Sequence, residues 1–184
     1  MRRSGPASPP AVTKANAPKL AALVARLEQL DRLMDLGAVH RVLEELEVTR
    51  DDLGPYVIFA PGAYQLNRIS ASDWYELACL CWLSGQRTPI HDHAGSSSAF
   101  RVIAGAATET RFERTASGLV CPLWTRQHQP GYVCASEEAD IHQVANTQPG
   151  GEELITLHIY SPQSQGFNVY SLDGPPPSAD PELR

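Results

Sequence analysis

Apolar positions recur at helical spacing in the first part of the chain and at strand spacing in the rest. From Pro18 to Leu36, residues Leu20, Leu23, Val24, Leu27, Leu30, Leu33 and Met34 keep to one helical face, and Gly37 makes a natural stop. A second short helix is predicted over residues 39–46, with Val42, Leu43 and Leu46 on one face and His40 in solvent. After Gly54-Pro55 the signal changes to short runs rich in Tyr, Val, Ile and Trp, separated by Gly, Pro, Ser and Asp. Strands are expected near 56–59, 64–69, 74–82, 88–93, 99–104, 107–114, 119–127, 131–135, 140–145, 153–160 and 166–171. So many short strands without intervening helices predict an all-β core, an antiparallel double sheet or small barrel, preceded by one or two N-terminal helices. Residues 1–17 and 174–184, rich in proline, read as flexible tails around a single domain of residues 18–173 whose helices occupy 18–47.

Composition adds exclusions. A chain of 184 residues, 42% hydrophobic and 20% charged, fills one domain well. Its formal net charge of −6 offers no basic footprint for phosphates, so no nucleic acid partner is expected. Apolar runs such as Leu77–Leu83 are far too short to span a membrane, and a cytoplasmic monomer is the expectation. Cys79 and Cys81 alternate with Leu80 and Trp82 on a predicted strand, which reads as buried core thiols; Cys121 and Cys134 carry no further signal. His128 lies in a Gln- and Pro-rich turn and is expected in solvent.

The chemistry concentrates between Gly85 and Gly105. His91 and His93, one residue apart, share a strand face and can reach one metal ion. A bare pair of this kind is more often an edge-strand feature, but a Gly, five residues, His-x-His and a second Gly closing the next strand resembles the first cupin motif. That motif expects a glutamate ligand where this chain has Ser98. The run Ile141-His142-Gln143-Val144-Ala145-Asn146 resembles the second motif and supplies a third imidazole. His91, His93 and His142 make a neutral ligand set that first-row divalent metals accept, with positions left open. Without a carboxylate among the ligands, the ion's charge stays uncompensated and favours an anionic, chelating substrate.

Taken together with Cys81-Trp82-Leu83-Ser84-Gly85-Gln86 and Leu157-His158-Ile159-Tyr160-Ser161-Pro162, the ordered set is similar to the cysteine dioxygenase family of cupin thiol dioxygenases over roughly residues 40 to 171. The resemblance implies oxygenation of a small-molecule thiol by O2 to a sulfinic acid at non-haem Fe(II), held by His91, His93 and His142. It also implies a relay of Thr156, where the family usually has Ser, His158 and Tyr160. These alternate along one strand face, so hydroxyl, imidazole and phenol can form a hydrogen-bonded row.

Two departures bear on activity. Ser98 stands where animal members carry the cysteine that cross-links to the pocket tyrosine, so Tyr160 has no such thioether here. In Tyr64-Gln65-Leu66-Asn67-Arg68, Leu66 takes the place of the Arg that grips the substrate carboxylate in family members acting on cysteine. Arg68, on the same strand face as Leu66, Gln65 in a shifted register, and Arg101 after the His pair are candidate replacements, and Tyr64 keeps its family position. Three readings stay open: L-cysteine as substrate, another small thiol such as 3-mercaptopropionate, or a metal-binding cupin without turnover.

Overall fold

The computed structural model describes residues 17–136, 140–164 and 166–172, so the two tails lie outside the described residues except for Ala17, which is buried. Helix α1 (Pro18–Leu27) starts on a proline, whose missing N–H is no loss in a first turn, and buries Leu20, Leu23 and Leu27. Apolar spacing alone predicts that it continues to Leu36. It does not: Asp35 opens a new helix, α2 (Leu36–Glu44), by accepting the Ala38 N–H at 2.7 Å. A carboxylate at this position satisfies a donor that the helix leaves open. Gly37, expected as a stop, sits in the first turn of α2. A single turn, α3 (Arg50–Leu53), follows behind reciprocal bonds between Thr49 and Asp52.

The strands are β1 (Gln65–Ala71), β2 (Glu76–Trp82), β3 (Ile90–His91), β4 (Ser97–Ala104), β5 (Ala107–Arg114), β6 (Val120–His128), β7 (Val133–Ser136), β8 (Ile141–Ala145), β9 (Leu154–Ser161) and β10 (Val169–Tyr170). They form two five-stranded antiparallel sheets, ordered β1-β2-β9-β4-β7 and β10-β3-β8-β5-β6. The strand expected at 56–59 is absent. Gly54–Tyr56 is a 3-10 turn, and the carbonyls of Ile58 and Ala60 accept from the Asn67 and Gln86 side-chain amides at 3.0 and 2.8 Å instead of joining a ladder.

The first sheet is covered on both faces, and every residue of β2 and β9 is buried. Its outer side, with Leu77, Cys79, Ile155, Leu157 and Ile159, packs on Leu20, Leu27 and Leu43 of the helices. Its inner side, with Ala78, Leu80, Trp82, Phe100 and Val102, meets Ala107 and Val144 of the second sheet. A strand buried on both faces has no polar side to alternate with, which is why β2 reads as an unbroken apolar run. Alternation in β9 sends Thr156, His158 and Tyr160 inward while Ile155, Leu157 and Ile159 face the helices. Gly105 closes the turn from β4 to β5 at φ +73°, and a Cβ there would lie 2.2 Å from the Glu153 carbonyl oxygen. Only glycine fits, which gives the closing glycine of the motif its physical reason. Among the described residues no helix is long and apolar enough to cross a membrane.

Candidate metal centre

Strands β3 and β8 are antiparallel neighbours whose register sets His91 opposite His142. His93 follows two residues on, in front of a turn that carries Ala94 at φ 43°. One ring nitrogen from each of the three lies within 4.8 Å of the others, and all three residues are buried. His93 Nε2 and His142 Nε2 are 3.1 Å apart. Two nitrogens about 2.1 Å from one ion, at angles between square and tetrahedral, would be about 3.0–3.4 Å apart, so the spacing fits shared coordination.

The outer nitrogens are served differently. His91 Nδ1 donates to the Pro89 carbonyl at 3.0 Å, and His142 Nδ1 lies 2.9 Å from the Glu109 carboxylate. His93 Nδ1 is buried without a hydrogen-bond partner among the described residues. Burial brings His91 down to about 3 and holds His93 well below the ordinary histidine range, so both rings are neutral and keep lone pairs for a metal. A buried histidine cluster with these two neutral rings, and one ring nitrogen otherwise unanswered, suits a divalent ion.

Beside this cluster runs the expected row. Thr156 Oγ1 is 2.8 Å from His158 Nε2, and His158 Nδ1 is 3.2 Å from the Tyr160 hydroxyl. A member that the sequence did not suggest extends it: the Trp82 indole N–H donates to Thr156 Oγ1 at 3.0 Å. Burial lowers His158 to about 3 and raises the Tyr160 phenol, so the imidazole is neutral and the phenol keeps its proton. Ser98 is the strand partner of Tyr160 on β4 and lines the same cavity.

That cavity, of about 360 Å³, is lined by the three metal-site histidines, His158 and Tyr160 and also by Ala63, Tyr64, Gln65 and Leu66 of the segment leading into β1. Tyr64 stacks on Trp82 with ring centroids 4.5 Å apart, and Gln65 spends its amide on the Leu66 carbonyl at 3.0 Å. None of the lining residues is Lys, Arg, Asp or Glu. Arg68 is half exposed, is not among the lining residues, and pairs with the buried Glu76 at 2.8 Å. Arg101 is a correction: its guanidinium donates to the Leu43 and Glu44 carbonyls at 3.0 and 3.2 Å, on the helix side of the sheet. Strand alternation explains it, since Phe100 and Val102 take the inward positions on either side.

His128, expected in solvent, is also corrected: it is buried and lies 3.0 Å from Glu109, with Tyr132 stacked on it at 3.9 Å. Sequence reasoning passed over Glu109 itself, although alternation from the inward Ala107 already points it into the barrel. Phe167 was missed as well; its ring lies 4.8 Å from His91 and covers the cavity. Between the two ligands of the first motif, Asp92 faces away from the cavity and binds the β10 segment, accepting from Asn168 Nδ2 at 2.9 Å and from the Tyr170 hydroxyl.

The family model described as cysteine dioxygenase type I matches residues 8–172. The chain belongs to the cysteine dioxygenase type I family. It is 27% identical to cysteine dioxygenase type 1 of Rattus norvegicus over 135 residues, a match that covers 70% of this chain and 66% of the rat protein, just under two thirds of its length. The protein of that name from Bos taurus is 26% identical over 151 residues, covering 78% of this chain and 74% of its own. Among solved structures, a protein with a double-stranded β-helix domain from Klebsiella pneumoniae aligns with a TM-score of 0.54 at 17% identity, over 68% of this chain and 93% of that one. This likeness concerns the fold, and the fold is that of the cupins. Within this family fold the chain carries a buried cluster of three histidines that could hold a metal ion.

Proposed function

We propose that the protein is a cytoplasmic, monomeric non-haem iron thiol dioxygenase that converts R–SH and O2 to R–SO2H, with His91, His93 and His142 as the iron ligands. What carries this reading is one cavity, in a chain of this family, that holds both the three-histidine cluster and the Thr156, His158, Tyr160 row. Bound iron would supply a Lewis acid that acidifies the thiol and a centre that activates O2. The chain supplies position, a water-poor pocket and a directed hydrogen bond.

The donor and acceptor counts allow a direction for that bond that leaves the cavity a donor. The Trp82 N–H can only donate, so it occupies one lone pair of Thr156 Oγ1. When the threonine proton goes to His158 Nε2, the ring proton lies on Nδ1, facing the Tyr160 oxygen. Tyr160 is left to donate its own proton into the cavity, where substrate and oxygen meet.

For substrate, the family reading favours L-cysteine and its sulfinic acid. Leu66 favours the second reading, a different small thiol such as 3-mercaptopropionate. A guanidinium on a carboxylate contributes about 1.5–3 kcal/mol per hydrogen bond, and no guanidinium lines this cavity. Tyr64 and Gln65 are the polar groups left to receive the far end of a substrate. The test is oxygen consumption by Fe(II)-loaded protein given L-cysteine, 3-mercaptopropionate and cysteamine in turn, with the sulfinate identified by mass. Turnover of any of them with formation of its sulfinate supports the reaction, and the fastest names the substrate. An iron-replete protein that consumes no oxygen with any thiol would return the chain to a binding-only cupin.

A further inference from the structure

We infer that Glu109 is the positioning residue of the metal centre: its carboxylate fixes His142 in the Nδ1–H form, so that the Nε2 lone pair is presented to the ion. The inference rests on the metal reading of His91, His93 and His142 and not on any thiol.

Glu109 is fully buried on β5 and is surrounded by donors. His142 Nδ1 lies 2.9 Å and Arg111 Nε 2.7 Å from Oε1, while His128 Nε2 lies 3.0 Å from Oε2. The Cys134 thiol reaches both oxygens at 3.3 and 3.2 Å. Arg111, held in turn by Asp140 at 2.9 Å and Ser136 at 2.8 Å, keeps the carboxylate charged. An ionised carboxylate only accepts, so every neighbour must offer it a hydrogen. In the neutral form of each ring both histidine tautomers are thereby set: His128 carries its proton on Nε2 and His142 on Nδ1.

The second choice is the informative one. A free neutral imidazole prefers its proton on Nε2, the atom that His142 turns toward His93 Nε2 at 3.1 Å. Removing the proton from that atom before a metal arrives is what an anion behind the ring accomplishes. Arg111 Nε bonds only Oε1 and leaves Oε2 to other donors. Each oxygen takes one imidazole, and the far one, His128, is itself clamped flat on Tyr132 with an interplanar angle of 2°. The brace behind His142 is therefore rigid. His91 has only a neutral carbonyl behind it, and His93 has no partner among the described residues.

Two measurements test this. Long-range 15N–1H correlation on the metal-free wild-type protein near pH 7 should show His142 protonated on Nδ1; a ring protonated on Nε2 would overturn the inference without any variant. In Glu109→Gln, checked for folding by circular dichroism, that signature should weaken or reverse. Affinity for Zn(II) and for Fe(II), measured by chelator competition, should fall about 10–100-fold. Glu109→Asp, which keeps the charge, should recover part of the loss. Metal held within about twofold of wild type by Glu109→Gln, with unchanged His142 shifts, would mean that the carboxylate serves the fold alone. Failure of every thiol to support oxygen uptake would sink the dioxygenase reading and leave this result standing.

Discussion

Two parts of the cavity lining are built on opposite plans. Around the metal site, polar groups answer one another in chains: Trp82 to Thr156 to His158 to Tyr160 in one direction, His142 to Glu109 to His128 in the other. On the β1 side, Leu66 is more than one third exposed on the edge strand, and its neighbours are Ala63, a stacked Tyr64 and Gln65 bonded to its own neighbour's carbonyl. A buried polar network resists piecemeal change, because removing one member leaves the next unsatisfied. An apolar wall on an edge strand carries no such obligation. Under the proposed function, the reaction would be fixed by central strands and the choice of substrate left to the edge strand β1.

The sharpest way to break this contrast is at the ligands. Replacing His93 with Ala should abolish iron retention, read as metal content after desalting; full iron content in the variant would remove His93 from the ligand set. Next in size, Tyr160→Phe should lower kcat by about 100-fold while leaving iron content unchanged, as expected for loss of a positioned proton donor. A comparable loss of iron would instead make Tyr160 part of the scaffold.

On the β1 side, Leu66→Arg should raise kcat/KM for L-cysteine about 10–100-fold, the equivalent of one new charged hydrogen bond of about 1.5–3 kcal/mol. Unchanged selectivity among thiols would show that the β1 side does not choose the substrate. The mildest probe is acid. Burial brings His91 and His158 to about 3, so between an unfolded value near 6.5 and that level only the unfolded chain takes up their protons. Burial pushes the Glu109 carboxyl up, but the His142 hydrogen bond and the Arg111 charge outweigh it and bring it to about 2. Its contribution is full above an unfolded value near 4.5 and is lost only as pH falls from there toward about 2. The histidine effect alone falls inside the range from pH 7.5 to 4.5, and it should make the metal-free protein melt roughly 5–10 °C lower at pH 4.5 than at pH 7.5. A flat profile would mean that the metal site is more open to water than its burial indicates.

Much of this was legible in the residues. The double sheet follows from strand spacing, and the alternation of Thr156, His158 and Tyr160 in the sequence alone puts the row on one face. What escaped was set by contacts distant in sequence. His128 ends a polar strand, yet it is buried because Glu109, 19 residues earlier, reaches it across a hairpin. Arg101 was read toward the cavity, but the carbonyls at the end of α2, 57 and 58 residues away, draw it to the other side. Helix α1 stops at Leu27, short of the apolar period, and a capping carboxylate at Asp35 opens a separate helix where the period would have run on. Trp82 was hidden for a different reason: in a strand buried on both faces, periodicity cannot say which residue looks into the cavity.

The fastening of Asp92 to Asn168 and Tyr170 has a consequence for synthesis. The ribosome releases His91 and His93 first, His142 some fifty residues later, and the Asp92 fastening last of all. During elongation the nascent polypeptide therefore offers a passing ion only a two-ligand site, on a loop not yet tied down. Tight capture waits for His142, and the loop is secured only when residue 170 has emerged, so a metal that binds early is weakly held and readily exchanged.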